Sequence, residues 1–260
     1  MKKGNLLLMI TLFFGVTSFA STNLDALEKQ FKETNIIIAG HAEAYGSIAN
    51  IYDLEVENVI AVVYPELVRS THFDSRIEKA SEGPVSWLIY KQLGMNMGDL
   101  SRGLFQMKVC FAEDVESSIQ RVPELLEKFS ELLVFESNDS GDQRKERWNR
   151  MGDPIWQFRY ACAYYAYMEW RFSEWEFPSH EEKISFFSNA YNLGPSASSR
   201  SILDLMQVRH FPYGSDSEKS VTLGEASNHF LKVFADDLFS NSKPDISTGE
   251  VTDIQNKKLK

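Results

Sequence analysis

Cysteine is almost missing from this chain, with Cys110 and Cys162 the only two. At most one disulfide can form, so the core must hold the fold; one bridge and two buried thiols remain equally open. Histidine is sparse, five in all, and none falls in a His-Glu-x-x-His or Cys-x-x-Cys spacing. No zinc signature is present, and neither a metal nor a cofactor is expected. Basic charge is in deficit: 27 Lys and Arg against 37 Asp and Glu give a net charge of −10. That balance opposes binding to nucleic acid or anionic lipid. Past the first 20 residues no apolar run approaches the roughly 20 residues that span a bilayer. Strand patterns are scarce too, the one short β-branched run being residues 36–39.

What is present begins with a leader. Lys2 and Lys3 precede an apolar run over residues 6–16, which ends in Thr17, Ser18, Phe19 and Ala20. This is the composition of a signal peptide, with cleavage expected between Ala20 and Ser21. The run is too short for a transmembrane anchor. No cysteine follows the cleavage point, so a lipid anchor has nothing to attach to. The mature chain is expected in the periplasm or outside the cell, without a membrane anchor, and more acidic by the two lost lysines. With 43% apolar and 13% aromatic residues it can bury a substantial core.

Helix signals dominate the rest. Asp153-Pro154 pairs an N-cap residue with proline at the first helical position, predicting a long helix to Arg171. Its apolar residues surround the axis, so it reads as the central helix. Ser179 and Glu182 form a capping-box pattern ahead of a helix that Gly194-Pro195 stops, with Tyr191 and Asn192 at its end. A second box, Thr222 with Glu225, opens what reads as the last helix, and Pro123 opens a further amphipathic run. The charged, turn-rich residues 136–152 read as a surface loop. Residues 240–260, rich in Ser, Lys, Asp and Thr, read as a disordered tail. The expected organisation is an all-α single domain over residues 35–239, after a linker at residues 21–34.

From Ile51 to Tyr64 apolar residues are dense enough for a buried helix, and Pro65 then removes the bond back to Ala61. Glu66 is expected to follow that break. A carboxyl at the end of an apolar helix is partly desolvated, which penalises its charged form and raises its pKa, as a general acid requires. The alternative is a solvated turn residue. Three segments bear on the choice: Tyr64-Pro65-Glu66-Leu67-Val68-Arg69-Ser70, then Gly103-Leu104-Phe105-Gln106-Met107, then Ala190-Tyr191-Asn192-Leu193-Gly194-Pro195. In that order they resemble the lytic transglycosylases, over roughly Tyr45 to Gln207.

The resemblance implies a lysozyme-like fold and cleavage of the glycan strands of peptidoglycan. It implies that Glu66 protonates the glycosidic oxygen and later takes a proton back, with Tyr191 hydrogen-bonding and orienting it. Gln106 and Asn192 would meet the sugar's acetamido and hydroxyl groups. Gly103 would let the backbone approach the saccharide, and Met107 would pack beneath it. The chain departs from the family pattern at Leu67, where serine usually follows the glutamate; Ser70 is the candidate substitute. The usual Gly-Ala pair before the Gly-Leu segment is replaced by Leu100, Ser101 and Arg102. The interval from Glu66 to Gln106 is long, which suggests an insertion around residues 78–96.

A lysozyme cutting the same bond by hydrolysis usually needs a second carboxylate across the cleft. Asp74, Glu78 and Glu82 are the candidates, each with a solvated-surface alternative. A transglycosylase needs none, because the muramic acid's own hydroxyl attacks the anomeric carbon and forms a 1,6-anhydro ring. Three competing readings stand beside it: a peptidoglycan hydrolase, a catalytically silent wall-binding protein of the same fold, and a helical protein with no carbohydrate role.

Overall fold

A computed structural model of the protein describes residues 23–72, 101–212 and 220–240. The expected signal peptide, the inserted segment with Asp74, Glu78 and Glu82, and all of the expected tail beyond Ser240 lie outside the described residues.

Eleven α-helices and one 3₁₀ turn make up the described residues, with no β-strand among them. They are α1 (Glu28–Ala39), α2 (Ala42–Ile51), α3 (Val56–His72), α4 (Val109–Ile119), α5 (Pro123–Lys128), the 3₁₀ turn Ser130–Leu133, α6 (Ser140–Arg150), α7 (Pro154–Arg171), α8 (His180–Leu193), α9 (Ser199–Met206), α10 (Leu223–Val233) and α11 (Ala235–Phe239). The class is all-α, as the sequence implies. No helix among the described residues is long and apolar enough to cross a membrane.

Two helices organise the core. Helix α7 starts where the Asp153-Pro154 pair places it, with Asp153 accepting from the amide of Ile155 at 2.7 Å. It buries every residue from Tyr160 to Met168 against α2, α3, α4, α5 and α8. Helix α3 is as central as α7: Val59 to Tyr64 are wholly buried, and it packs against α1, α2, α7, α8, α10 and α11. The expected caps position the helices around this pair. Thr222 and Glu225 exchange both bonds of their box, at 3.1 and 2.7 Å. Ser179 accepts from the amide of Glu182 at 3.2 Å, and only that half of its box forms. The last helix is divided at Phe234 into α10 and α11.

Three sequence expectations fail, each because tertiary burial outweighs a local signal. Proline at 65 does not end its helix, which runs on to His72. Proline inside a helix costs about 3 kcal/mol, but Leu67 and Val68 in the following turn are buried. Each is worth about 1.5–3 kcal/mol, enough to carry the helix past the break. Glu66 therefore lies within α3, not after it.

Residues 136–152 contain helix α6 instead of a loop. Asp139 caps it, and Arg147 and Arg150 turn inward. Arg147 binds the buried Glu116 of α4 through two nitrogens, at 2.6 and 3.0 Å, and Tyr160 donates to the same carboxylate at 2.6 Å. Arg150 is buried, bonded to the carbonyls of Leu132 and Val134 and flanked by the rings of Phe135 and Trp156. Finally, the second half of the expected linker, from Glu28 on, belongs to helix α1, and the Ile36–Ala39 run is helical. Leu27, Phe31 and Thr34 are buried, Thr34 bonds Thr71 at 2.9 Å, and Tyr64 donates to Asn35 at 3.1 Å. The domain thus begins before residue 35. Cys110 and Cys162 are unbridged thiols.

Candidate active site

The three motif segments meet at one open cleft of about 410 Å³. Glu66 and Arg69 reach it from α3, Gln106 and Met107 from the turn before α4, and Tyr191, Asn192 and Gly194 from the end of α8. Helix α3 supplies the fixed wall, since Glu66 and Arg69 stand among its buried residues and line the cleft. The Glu66 side chain is 12% exposed.

Asn192 donates its side-chain amide to Oε1 of Glu66 at 2.8 Å. Arg69, one turn along α3, donates Nη1 to the same oxygen at 2.5 Å. Among the described residues no hydrogen bond reaches Oε2. Among the described residues, one oxygen of the carboxyl is thereby held and the other has no partner.

The expected bond from Tyr191 to Glu66 is not made. Tyr191 is buried, and its hydroxyl donates to the carbonyl of Phe105 at 2.8 Å. Its ring packs edge-on against Phe111 and Tyr164. Burial, and secondarily the negative charge of Glu66, hold its phenol well above the ordinary range. Tyr191 therefore fastens the Gly103–Met107 turn to α8, and Asn192 takes the orienting contact.

That turn is a tight reversal. Arg102 and Met107 exchange backbone bonds at 2.9 and 3.1 Å, and Gly103 and Gln106 take positive φ of 68° and 50°. Gly103 is needed for packing: a Cβ there would lie 2.5 Å from Oε1 of Gln157 and 2.6 Å from the carbonyl of Met151. The buried Gln157 of α7 stitches the turn down, donating to the carbonyl of Arg102 at 2.7 Å and accepting from the amide of Phe105 at 3.3 Å. Gln106 lines the cleft, with its side-chain amide on the carbonyl of Gly103 at 2.9 Å. Met107 is buried and forms part of the floor.

Five of the seven residues singled out in the sequence line this cleft: Glu66, Gln106, Met107, Tyr191 and Asn192. Ser70 and Gly103 do not. The Ser70 hydroxyl bonds back to the carbonyl of Leu67 at 2.8 Å, so it cannot hold the Glu66 carboxyl. Leu67, where the family has serine, points into the core. Sequence reasoning missed Arg69, Lys108 and Asp114, all on the cleft wall. Asp114 matters because the sequence offered only Asp74, Glu78 and Glu82 as carboxylates to share the cleft. Asp114 is an exposed residue of α4, and nothing in its local sequence marked it. Among the described residues no group of His, Cys, Asp and Glu could hold a metal ion.

Searches for a matching family model, for a similar curated protein and for a similar solved structure find none for this chain.

Proposed function

We propose that this protein is an exported peptidoglycan lytic transglycosylase of lysozyme-like fold, acting in the periplasm or outside the cell. Its substrate is the β-1,4 bond between N-acetylmuramic acid and N-acetylglucosamine, and Glu66 is its acid and base. The observation that carries this reading is the bond from Asn192 to Glu66: two segments that resemble the family separately in sequence converge on one carboxyl at the rim of a cleft.

The chemistry follows from the carboxyl's two oxygens. Oε2, once protonated, gives its proton to the glycosidic oxygen as the bond to the anomeric carbon breaks. Glu66, now a carboxylate, takes the proton of the muramic acid's C6 hydroxyl as that oxygen attacks the anomeric carbon. The bond formed closes the 1,6-anhydro ring, and no water enters the products. Asn192 holds Oε1 through both steps and stabilises the charge that returns to the carboxyl. Gln106 and the backbone around Gly194 offer polar groups for the acetamido sugar, while Met107 and Phe111 give it an apolar floor.

One feature favours a second reading, a wall-binding protein without activity. Glu66 is ion-paired to Arg69, and a paired carboxylate must gain a proton before it can give one. A gel containing purified peptidoglycan separates the two. The parent protein clears the gel under the enzymatic reading, and Glu66→Gln does not; a binding protein retains the wall without clearing it.

A further inference from the structure

Arg69 has a position that orienting Glu66 does not explain. Its guanidinium is secured from outside the motif segments: Nε donates to the carbonyl of Pro212 at 3.1 Å, and Cζ stands 5.6 Å from the centroid of the Phe211 ring. Nη1 meets Glu66 at 2.5 Å. Arginine has five N–H donors, and among the described residues nothing further accepts from this one. Both side chains line the cleft, with the Arg69 side chain 18% exposed. The Pro212 and Phe211 contacts keep the cation in place whether or not Glu66 stays on it. Glu66 keeps a second donor, Asn192, when Arg69 takes another anion.

We infer that Arg69 is a specificity-determining residue that binds a carboxylate of the substrate in exchange for Glu66, so that the cleft selects acidic glycan strands over neutral ones. This rests on the glycan-cleaving reading above and names which strand that site accepts. A chitin strand has the same linkage and the same acetamido groups but no acid. A muramic acid residue carries a lactyl group whose carboxyl is either free or extended by a peptide that bears carboxylates of its own. Each source presents the planar acceptor that a guanidinium fork matches. Lys108 on the same wall adds positive charge, and Asp114 opposes it.

Calorimetric binding of three small ligands tests the inference, none of them containing the bond to be cleaved. They are the N-acetylglucosaminyl–N-acetylmuramic acid disaccharide with a free lactyl group, the same disaccharide carrying its peptide, and chitobiose. The parent is expected to bind at least one acidic disaccharide about 10-fold or more tighter than chitobiose, the lower end of what a charge-assisted hydrogen bond supplies. Which of the two it prefers locates the carboxylate on the lactyl group or the peptide. Arg69→Gln should lose the preference and keep its affinity for chitobiose, and Arg69→Lys should retain part of it. Glu66→Gln leaves Arg69 in place and removes the competing anion, so it should widen the preference; this decides the matter even if Arg69→Gln fails to fold. Equal binding of acidic and neutral disaccharides by the parent, or a preference untouched by Arg69→Gln, overturns the inference and leaves the glycan-cleaving reading standing. Binding of none of the three removes that reading, and the inference with it.

Discussion

Asn192, at the end of α8, donates its side-chain amide to Oε1 of Glu66, in the middle of α3, at 2.8 Å. The contact joins the first and last motif segments and fixes one oxygen of the only carboxyl in either of them. Asn192 is exposed and Glu66 largely covered, so the bond can be removed without opening the core. Asn192→Ala should lower the rate of peptidoglycan cleavage about 10-fold, the low end for a hydrogen bond to a charged group. Its melting temperature should stay close to that of the parent. A large drop in melting temperature with an unchanged rate would make Asn192 a structural residue.

Tyr191→Phe should behave in the opposite way. The hydroxyl bonds the carbonyl of Phe105, not Glu66, and its loss leaves a buried acceptor unpaired at a cost of about 1–3 kcal/mol. Denaturant titration should show that loss, with a smaller fractional change in rate than Asn192→Ala gives. A rate loss exceeding that of Asn192→Ala, at unchanged stability, would return Tyr191 to the chemistry.

Gly103→Ala tests why glycine stands there. The residue has φ of 68°, and an added Cβ would meet Gln157 and the Met151 carbonyl at 2.5 and 2.6 Å. A positive φ costs an L-residue about 1–2 kcal/mol and overpacking about 1–3 kcal/mol more. Thermal unfolding should register a combined loss of about 2–5 kcal/mol, with or without substrate. If stability is unchanged and only activity falls, glycine serves the saccharide and not the packing.

How much of this was legible beforehand divides along a physical line. Local signals held wherever one residue acts on its own backbone neighbours: Asp153-Pro154 started α7, Thr222 with Glu225 started α10, and Gly194 ended α8. They failed where a distant partner decided the outcome. The charges of α6 read as solvated, yet Arg147 answers a buried Glu116 on another helix. Pro65 read as a stop, yet the core continues past it through Leu67 and Val68. In the site, the three segments picked out by residue type and order meet at one cleft. Which side chain touches Glu66 depended on the turn of α8, which directs Tyr191 inward to Phe105 and leaves Asn192 on the rim. Arg69 was visible in the motif but carried no family role, and its anchor at Pro212 lies far along the chain.

Asp114 provides a direct test of lyase against hydrolase chemistry. It shares the cleft wall with Glu66, and a hydrolase would use such a carboxylate to position water or the glycosyl intermediate. With the muramic acid hydroxyl as nucleophile, neither task arises. Asp114→Asn should keep at least half of the parent's rate in a peptidoglycan clearing assay, whereas general-base or nucleophile loss in a hydrolase would lower it about 10²-fold or more.

The mass spectrum of fragments released from purified peptidoglycan, compared between the parent and Glu66→Gln, tests the proposed reaction most directly. The anhydro product is lighter than the hydrolysed one by one water. Parent protein should release fragments ending in 1,6-anhydromuramic acid, and Glu66→Gln should release none above background, since removing general acid–base assistance typically costs about 10²–10⁴ in rate. Fragments ending only in free reducing sugars, or equal release by Glu66→Gln, would contradict it.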